Sequence, residues 1–422
     1  MTSKNNWKNY KLSELGFLGR GKSKHRPRND VSLFGGEYPF IQTADVKNPD
    51  LYIIEYNQTY NEKGLAQSKL WEPRTLCITI AANIAETAIL KIKACFPDSI
   101  VGFVADSDKA DEKFIKYYID TIKLQMQNVS QGTTQDNLSL EKIALFDLLV
   151  PPLKTQQKIA SILSAYDDLI ENNTRRIKIL EEMAQNIYKE WFVNFRFPNH
   201  ENVKMIESEI GLIPEGWNIK KIDELCSKIT DGTHDSPKPS EEGYYLVTGK
   251  HITNGVIDFS KCYRISQEDH EKVMKRSKPE KGDIIFSNIG TLGSTVMVDQ
   301  DFEYSIKNVA LFKPANESLS KYLYFYLISP KTLEIMHQKA SGTSQKFFSL
   351  DFLRNIEILA PEIDILEKFK DITTPMLENR RLLHKKNENL RQTRDLLLPR
   401  LISGEIDVEN LSIKRVSEVN DG

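Results

Sequence analysis

The sequence predicts a mixed α/β protein of the α+β type, in which two globular modules are joined by two long antiparallel coiled-coil helices. Three observations predict this class. Segments of the first half recur about 210 residues later, which indicates an internal duplication with a pseudo-two-fold axis. Strand-like and helix-like apolar runs occur within each half, and a stretch with heptad spacing follows each half.

These features divide the 422 residues into five segments. We expect globular modules at 1–152 and 198–361, long helices at 153–197 and 362–405, and a C-terminal tail at 406–422. Charged residues make up 27% and hydrophobic residues 40%, which is typical of an ordinary soluble protein. The net charge of −2 means that any surface binding nucleic acid must be local.

Several classes of protein are disfavoured. The first eleven residues are polar and show no secretory signal, and no apolar run reaches the ~18 residues that span a bilayer. We therefore expect a cytoplasmic protein with no membrane association. The four cysteines lack Cys-x-x-Cys spacing, which argues against a zinc site or a disulfide framework; they are Cys77, Cys95, Cys226 and Cys262.

The duplication is clearest at two places. Trp7–Leu15 matches Trp217–Leu225 at an offset of 210, and seven of the 21 residues at 131–151 are identical to those at 341–361. Chance would give roughly one or two identities. The segments between these anchors differ, as expected when one frame carries two specificities, although neutral drift of loops would look the same.

The first long helix has an apolar stripe with a step of seven residues, formed by Ile159, Tyr166, Asn173, Leu180 and Ile187. Asn173 is the polar member of this stripe, and such a residue can fix the register of paired helices. The second helix has a weaker stripe, formed by Met376, Leu383, Leu390 and Leu397. Pro375 predicts the start of this helix, and Pro399 and Gly404 predict its end.

Neither helix has a partner nearby in the sequence. Globular sequence follows the first helix, and the chain ends soon after the second. We therefore expect the two helices to pack on each other in antiparallel orientation. The alternative is that each helix docks on its own module.

No catalytic constellation is evident. The sequence has no P-loop and no Gly-x-Gly-x-x-Gly segment, and its histidines form no His-Glu-x-x-His pair. Pro97-Asp98 followed by Asp111-Glu112-Lys113 loosely fits the pattern of metal-dependent nucleases, but the pattern is short and the second half lacks it. We expect a protein with no catalytic residues, no metal site and no bound cofactor.

Basic and small polar side chains in predicted loops are the candidates for contacts with DNA. The loop at 20–28 carries cations that could bind phosphates, or could form an ordinary solvated loop: Arg20, Lys22, Lys24, Arg26 and Arg28. Polar residues near the ends of apolar runs could pair with base edges, although each alone is an ordinary loop residue. They are Gln42, Thr43, Asp45, Asn83, Thr230, Asp231, Thr233, His234, Thr248, Lys250, His251, Ser287 and Asn288.

Two short polar segments are kept in both halves. Gly132–Gln135 and Gly342–Gln345 favour a structural turn or a phosphate contact over base readout, because readers of different bases would be expected to diverge. The candidate side chains here are Thr133, Gln135, Thr343, Gln345 and the neighbouring Lys346.

The whole pattern resembles the specificity (S) subunits of Type I restriction–modification systems. The resemblance covers nearly the whole chain and is most specific at three stretches: Gly211–Trp217, the central run from Pro151 to Phe192, and the distal run Leu390–Ile406. In the central run, Gln156 and Gln157 are identified as candidate partner-docking residues. The distal helix departs from this pattern, with Leu366 and Glu367 in their place, so the two docking surfaces need not be equivalent.

The resemblance implies two target recognition domains, each reading one half of a split, asymmetric target in double-stranded DNA, with the helices setting the spacer. It implies as partners two modification (methyltransferase) subunits and two restriction (translocase–nuclease) subunits. S-adenosylmethionine, ATP and magnesium would belong to those partners. The alternatives are a coiled-coil adaptor that binds only protein and, less favoured, a fused restriction endonuclease, for which the duplicated chain leaves no room.

Overall fold

The computed structural model describes residues 6–49, 51–130, 137–339 and 346–411. The chain divides into two compact units: unit 1 comprises Met1–Arg175 and Leu383–Gly422, and unit 2 comprises Arg176–Leu382. Each long helix therefore contributes residues to both units. Among the described residues, no helix has the length and apolar character needed to cross a membrane.

Unit 1 contains eleven described strands and, besides the last part of the second long helix, five helices. The strands are β1 Lys8–Tyr10, β2 Gly16–Arg20, β3 Phe34–Phe40, β4 Tyr52–Ile53, β5 Gln58–Tyr60, β6 Leu70–Trp71, β7 Leu76–Thr79, β8 Thr87–Leu90, β9 Ala94–Cys95, β10 Ile100–Ala105 and β11 Leu148–Val150. The helices are α1 Thr43–Lys47, α2 Glu62–Ala66, α3 Glu112–Ser130, α4 Leu140–Ile143 and the first part of α5 Leu153–Tyr188.

The core of unit 1 lies on both sides of a five-stranded sheet of order β2-β10-β7-β8-β4. Every residue of β7 and β8 is buried, which explains why both read as continuous apolar runs without polar alternation. Phe114 and Ile115 of α3 and Leu163 of α5 belong to the core on one side. A separate cluster on the other side contains Trp71 and Phe96.

Unit 2 contains thirteen strands and, besides the last part of α5, six helices among its described residues. The strands are β12 Met205–Ser208, β13 Gly211–Pro214, β14 Asn218–Lys221, β15 Cys226–Asp231, β16 Tyr244–Val247, β17 Ile252–Thr253, β18 Val256–Ile257, β19 Arg264–Ile265, β20 Ile284–Phe286, β21 Thr295–Met297, β22 Ser305–Ile306, β23 Ala310–Pro314 and β24 Glu357–Ala360. The helices are α6 Ile222–Leu225, α7 Gln267–Ser277, α8 Glu317–Ile328, α9 Pro330–Gln338, α10 Leu350–Arg354 and part of α11 Ile363–Ile402.

The two units share one topology, which confirms the predicted duplication. The order β15-β23-β20-β21 in unit 2 repeats β2-β10-β7-β8 in unit 1, and β19-β16-β22 repeats β5-β3-β9. β3 pairs with β9 in parallel, as β16 does with β22. Lys8 pairs with Val150 and Asn218 pairs with Ala360, so the closing strand pair recurs at the sequence offset of 210.

Helix capping accounts for one pair of repeated residues. The Ser139 hydroxyl accepts a hydrogen bond from the backbone N–H of Lys142 at 3.3 Å, and Ser349 accepts one from Phe352 at 3.0 Å. Each serine occupies the N-cap of a short helix and satisfies one of the backbone donors left free there. This repeated serine is therefore a structural requirement of the frame.

In unit 1, α5 and α11 pack antiparallel. The Asn173 side-chain amide donates to Asn387 Oδ1 at 2.9 Å, and Asp167, which precedes Asn173, forms an ion pair with Arg394, which follows Asn387. In unit 2 the same two helices are joined by an ion pair between Arg380 and Glu181, 2.5 Å apart, and by contact of the Tyr188 and Phe369 rings, whose centroids are 6.3 Å apart. The expected antiparallel helix packing is therefore present within each unit.

One expectation about the second helix is wrong. α11 begins at Ile363, so Pro375 lies inside the helix. Pro375 is exposed, and the backbone carbonyl that it leaves without a donor, that of Asp371, belongs to an equally exposed residue. The residues of the predicted apolar stripe do pack inward, since Leu383 is buried and Met376 and Leu397 contact the cores of unit 2 and unit 1. Polar side chains of α11 are buried as well: Thr373, Arg380 and Asn387.

Candidate nucleic-acid interface

In unit 2, polar loops converge where several strands end. The backbone N–H of Gly232 donates to Val309 O at 2.9 Å, and that of Lys307 donates to Val247 O at 2.9 Å. These bonds join the loop after β15, the loop between β22 and β23, and the end of β16. Gly249 follows β16, and a Cβ there would lie 2.1 Å from Ser287 Oγ, so the turn between β20 and β21 also reaches this edge.

A hydrogen-bonded chain of side chains lies at this edge. Arg276 of α7 forms an ion pair with Asp231, whose side chain is only 9% exposed. His234 Nε2 lies 2.6 Å from Asp231 Oδ2, and His234 Nδ1 lies 2.9 Å from Asn308 Oδ1. The buried carboxylate thereby fixes an imidazole and an amide that remain accessible at the surface, with half of the His234 side chain exposed.

Lysines occur on the loops of this part of unit 2. Lys307 donates to Ser236 Oγ at 2.6 Å. Lys250 and Lys346 are exposed. Lysines of this kind can bind phosphate oxygens without reading sequence.

Unit 1 uses the same strand ends to build its edge. The backbone N–H of Gly21 donates to Ile100 O at 2.9 Å, and that of Lys22 donates to Phe96 O at 3.1 Å. A Cβ on Gly21 would lie 2.3 Å from Pro97 O, so the close approach of these loops requires glycine. In unit 2, Gly232 has the same role against Ile306 O.

Neighbouring carboxylates neutralise part of the positive charge of the loop at 20–28 in unit 1. Arg28 donates twice to Asp98, at 2.7 and 2.9 Å, and Arg26 donates to two backbone carbonyls. His25 Nε2 lies 2.7 Å from Asp30 Oδ2. Hydrogen bonds from Ser32, followed by the one from His25, lower the pKa of Asp30 to about 2. The exposed cations that remain on this loop are Arg20, Lys22 and Lys24.

A cation–aromatic cluster beside this loop was missed from the sequence. Lys69 Nζ lies 3.6 Å from the centroid of the Trp71 ring and 4.7 Å from that of Phe17. Burial and the charge of Lys22 lower the pKa of Lys69. The only local signal for this cluster is that Lys69 and Trp71 are two residues apart. Phe17 lies on a different strand, so its part in the cluster could not be predicted from the sequence.

Several predicted base-contacting residues are instead caps. Asp45 is buried and accepts hydrogen bonds from Gln42 N and from Asn57 Nδ2, both at 2.8 Å. His251 is buried, its Nδ1 accepts from Thr248 N at 3.1 Å, and burial lowers its pKa. Both residues close the short turn that follows a matched strand, so the structure corrects their assignment as readers.

Two further candidates lie inside unit 2. Ser287 is fully buried and hydrogen-bonds within its own turn, to Ile289 O and Thr291 Oγ1. Asn288 is 4% exposed and donates its side-chain amide to Phe348 O at 3.0 Å. Both residues therefore hold the turn between β20 and β21 in this structure, which corrects their assignment as base contacts.

The remaining predicted contacts are scattered over the two edges. Gln42 is exposed and donates to Gln58 Oε1 at 2.6 Å, whereas Thr43 and Asn83 are half-buried. Thr230 is buried in β15, and Thr233 accepts a bond from Asp235 N. Four of the predicted residues lie outside the described residues: Thr133, Gln135, Thr343 and Gln345.

The carboxylates of the nuclease-like pattern have separate partners. Asp98 binds Arg28, and Glu112 binds Arg74 through two hydrogen bonds of 2.8 and 2.9 Å. Asp111 accepts hydrogen bonds from the backbone N–H groups of the first turn of α3. Across the described residues, no three His, Cys, Asp or Glu side chains are grouped to hold a metal ion.

The predicted docking residues on the helices differ in exposure. Gln156 is buried: its Oε1 accepts from Asp111 N, and its Nε2 donates to Lys109 O and Pro151 O. It therefore ties α5 to the module and is not part of a docking surface, whereas Gln157 is exposed. Ile159 and Leu383 are buried, and the others are half-buried: Tyr166, Leu180, Ile187, Met376, Leu390 and Leu397.

Comparison with known proteins places both halves in one group. A family model described as "Type I restriction modification DNA specificity domain" matches residues 4–182 and 214–392, two segments offset by the same 210 residues as the repeat. The chain is 26% identical to the Type I restriction enzyme MjaIX specificity subunit of Methanocaldococcus jannaschii, over 96% of this chain and 94% of that protein. It is 24% identical to the MjaVIII specificity subunit of the same organism, over 89% and 88%.

A solved structure shares the fold. The Type-I restriction-modification system S subunit from M. genitalium superposes with a TM-score of 0.60 at 15% sequence identity. The match covers 95% of this chain and 99% of that one. At this identity the likeness concerns the fold alone.

Proposed function

This chain belongs to the family of Type I restriction modification DNA specificity proteins, and from that premise we propose how it recognises DNA. It is the DNA-recognition subunit of a Type I restriction–modification system. Each of its two modules reads one half of a bipartite, asymmetric target in duplex DNA, while the chemistry belongs to partner subunits.

The observation that supports this proposal is that the two units share one topology but carry different side chains on equivalent loops. The loop after the first strand of the main sheet supplies Arg28 in unit 1 and His234 in unit 2. Arg28 binds Asp98, which lies in the loop between β9 and β10, and His234 binds Asn308, which lies in the equivalent loop between β22 and β23. Different donors and acceptors on equivalent loops read different bases, which makes the target asymmetric.

The long helices would set the spacing of the half-sites and dock the partners. This assignment is supported by the fact that both α5 and α11 contribute residues to both units. Exposed apolar side chains remain on them, including Leu169, Met183 and Leu396. We assign these to docking of two modification subunits, and the full assembly would add two restriction subunits.

The subunit itself would be non-catalytic and act in the cytoplasm with its partners. S-adenosylmethionine, ATP and magnesium would bind to the modification and restriction subunits. In this proposal, the loops at the strand ends of each unit contact DNA.

The test is selection from a random duplex library by the chain co-expressed with its modification subunit. We expect two short defined blocks separated by an undefined gap of fixed length. Replacing residues 1–150 with the corresponding module of another family member should change one block only. Absence of any motif from a well-folded complex would refute DNA recognition, and a change in both blocks would refute modular reading.

A further inference from the structure

We propose that Asn308 is the residue with which the second module reads an adenine. The inference rests on the function proposed above and adds one base to it. It comes from the position of Asn308, from the side chains that hold its amide, and from the hydrogen bonds that this amide leaves free.

Asn308 lies at the tip of the short loop between β22 and β23. Its backbone φ is +53°, a left-handed conformation that asparagine adopts more readily than most residues. Its backbone N–H donates to Thr233 O at 3.2 Å, which ties the tip to the loop after β15. The side chain is half-exposed at the convergent edge of unit 2.

Three side chains fix the orientation of the amide. Asn308 Oδ1 lies 2.9 Å from His234 Nδ1, His234 Nε2 lies 2.6 Å from Asp231 Oδ2, and Arg276 pairs with the same carboxylate. Because His234 Nε2 donates to the Asp231 carboxylate, a neutral imidazole accepts at Nδ1 from the Asn308 side-chain N–H, whereas a protonated imidazole donates from Nδ1 to Oδ1; each case uses one hydrogen bond of the amide. One N–H and one oxygen lone pair therefore stay available side by side, in a preset plane.

That pair of groups complements adenine. In the major groove, adenine presents N7 as an acceptor and N6 as a donor, and asparagine can bind both at once. Guanine presents two acceptors there, so the amide oxygen would face O6 without a hydrogen between them. Because the amide is already held by His234, little side-chain entropy is lost when the base is bound.

The equivalent residue of unit 1 cannot make the same contact. Asp98 stands 210 residues before Asn308, and each lies two residues before the strand that follows, β10 or β23. Asp98 is held by Arg28 as Asn308 is held by His234, but an ionised carboxylate has no hydrogen to donate to N7. Bidentate adenine reading at this position therefore belongs to the second module alone.

Asn308→Gly is the sharpest test, because glycine tolerates the positive φ and removes only the side chain. The variant, in complex with its modification subunits, is used in the random-duplex selection and in binding assays with single-base-pair variants of the selected site. We expect one A·T pair of one block to become undefined. Discrimination at that pair should fall by roughly tenfold to a hundredfold, with the other block unchanged.

Two further variants separate base reading from loop structure. His234→Ala should weaken discrimination at the same base pair, because His234 positions the Asn308 amide. Asn316→Asp is the matched control: Asn316 caps α8 through its Oδ1, a role that aspartate also fills. The control should keep the wild-type motif.

The outcomes distinguish this inference from the function on which it rests. A wild-type complex that selects no motif would refute DNA recognition itself. A wild-type motif that Asn308→Gly leaves intact, or a uniform loss of binding at all base pairs, would refute the assignment of Asn308 alone. Loss of discrimination at a G·C pair would also refute it, since the amide would then read a different base.

Discussion

Replacing Arg394 with alanine should destabilise unit 1 strongly. Arg394 pairs with Asp167, whose side chain is 1% exposed and also accepts a hydrogen bond from the Tyr117 hydroxyl. Removing the cation leaves a carboxylate buried without its counter-charge, which costs about 3–5 kcal/mol. For a unit of this size, that corresponds to a fall in Tm of about 6–20 °C.

The loss should depend on pH. Burial raises the pKa of Asp167 even with Arg394 present, and without the cation this pKa would rise further. The folded state then binds a proton that the unfolded chain releases, so the free energy of unfolding falls as pH rises between the two pKa values. The deficit of Arg394→Ala should therefore be larger at pH 7 than at pH 5.

Calorimetry at the two pH values measures the loss, and hydrogen exchange shows whether it lies at the helix pair. Asp167→Asn/Arg394→Leu is the matched variant, because asparagine still accepts from Tyr117 and needs no cation; it should recover most of the stability. Lys93→Ala removes an exposed ion pair with Glu72 and should cost only about 0–1 kcal/mol. The reasoning fails if Arg394→Ala costs no more than Lys93→Ala.

Three further predictions follow from the fold and the interface. Ser349→Ala should destabilise unit 2 by about 0.5–2 kcal/mol and Ser139→Ala should destabilise unit 1 equally, since both remove an N-cap; calorimetry showing no loss for either would contradict the shared capping role. Lys250→Ala should weaken binding to all DNA sequences alike and lower the salt slope of log K by about 1, whereas an altered base preference would contradict a phosphate contact. One extra helical turn within 165–185 should lengthen the undefined gap in the selected motif; an unchanged gap would mean that the helices do not set the spacer.

The frame of this protein could be predicted from the sequence because its signals are local or repeated. A repeat at one offset, apolar runs such as Leu76–Thr79 and heptad spacing are all visible without knowing which residues meet. They predict the duplicated α+β class and the two long helices, whereas the family was indicated by the resemblance at stretches such as Gly211–Trp217 and Leu390–Ile406. Pro375 shows where such local signals fail. The preference of proline for the first turn of a helix predicted a helix start at this residue, but α11 begins at Ile363 and continues through Pro375.

The interface was only partly predictable. The loops at 20–28 and 230–236 were identified by composition, but sequence could not show that Arg28 is held by Asp98 or that Asn308 completes the edge of unit 2. Asn308 carries no local signal, since its role comes from a bond to a histidine 74 residues earlier in the chain. Similarly, nothing at Asp45 or His251 distinguishes a cap from a reader.

The sequence by itself therefore determined the duplicated architecture and the helical pairing, since repetition and periodicity are written along the chain, and its resemblance to known sequences indicated the family. The tertiary structure alone decided which polar residues are internal and which face outward. Gln156 and Asn387 are buried, while Asn308 and Lys250 lie at the surface. The physical reason is that a polar group can be buried only where a partner satisfies it, and those partners come from distant parts of the chain, as Asn173 does for Asn387.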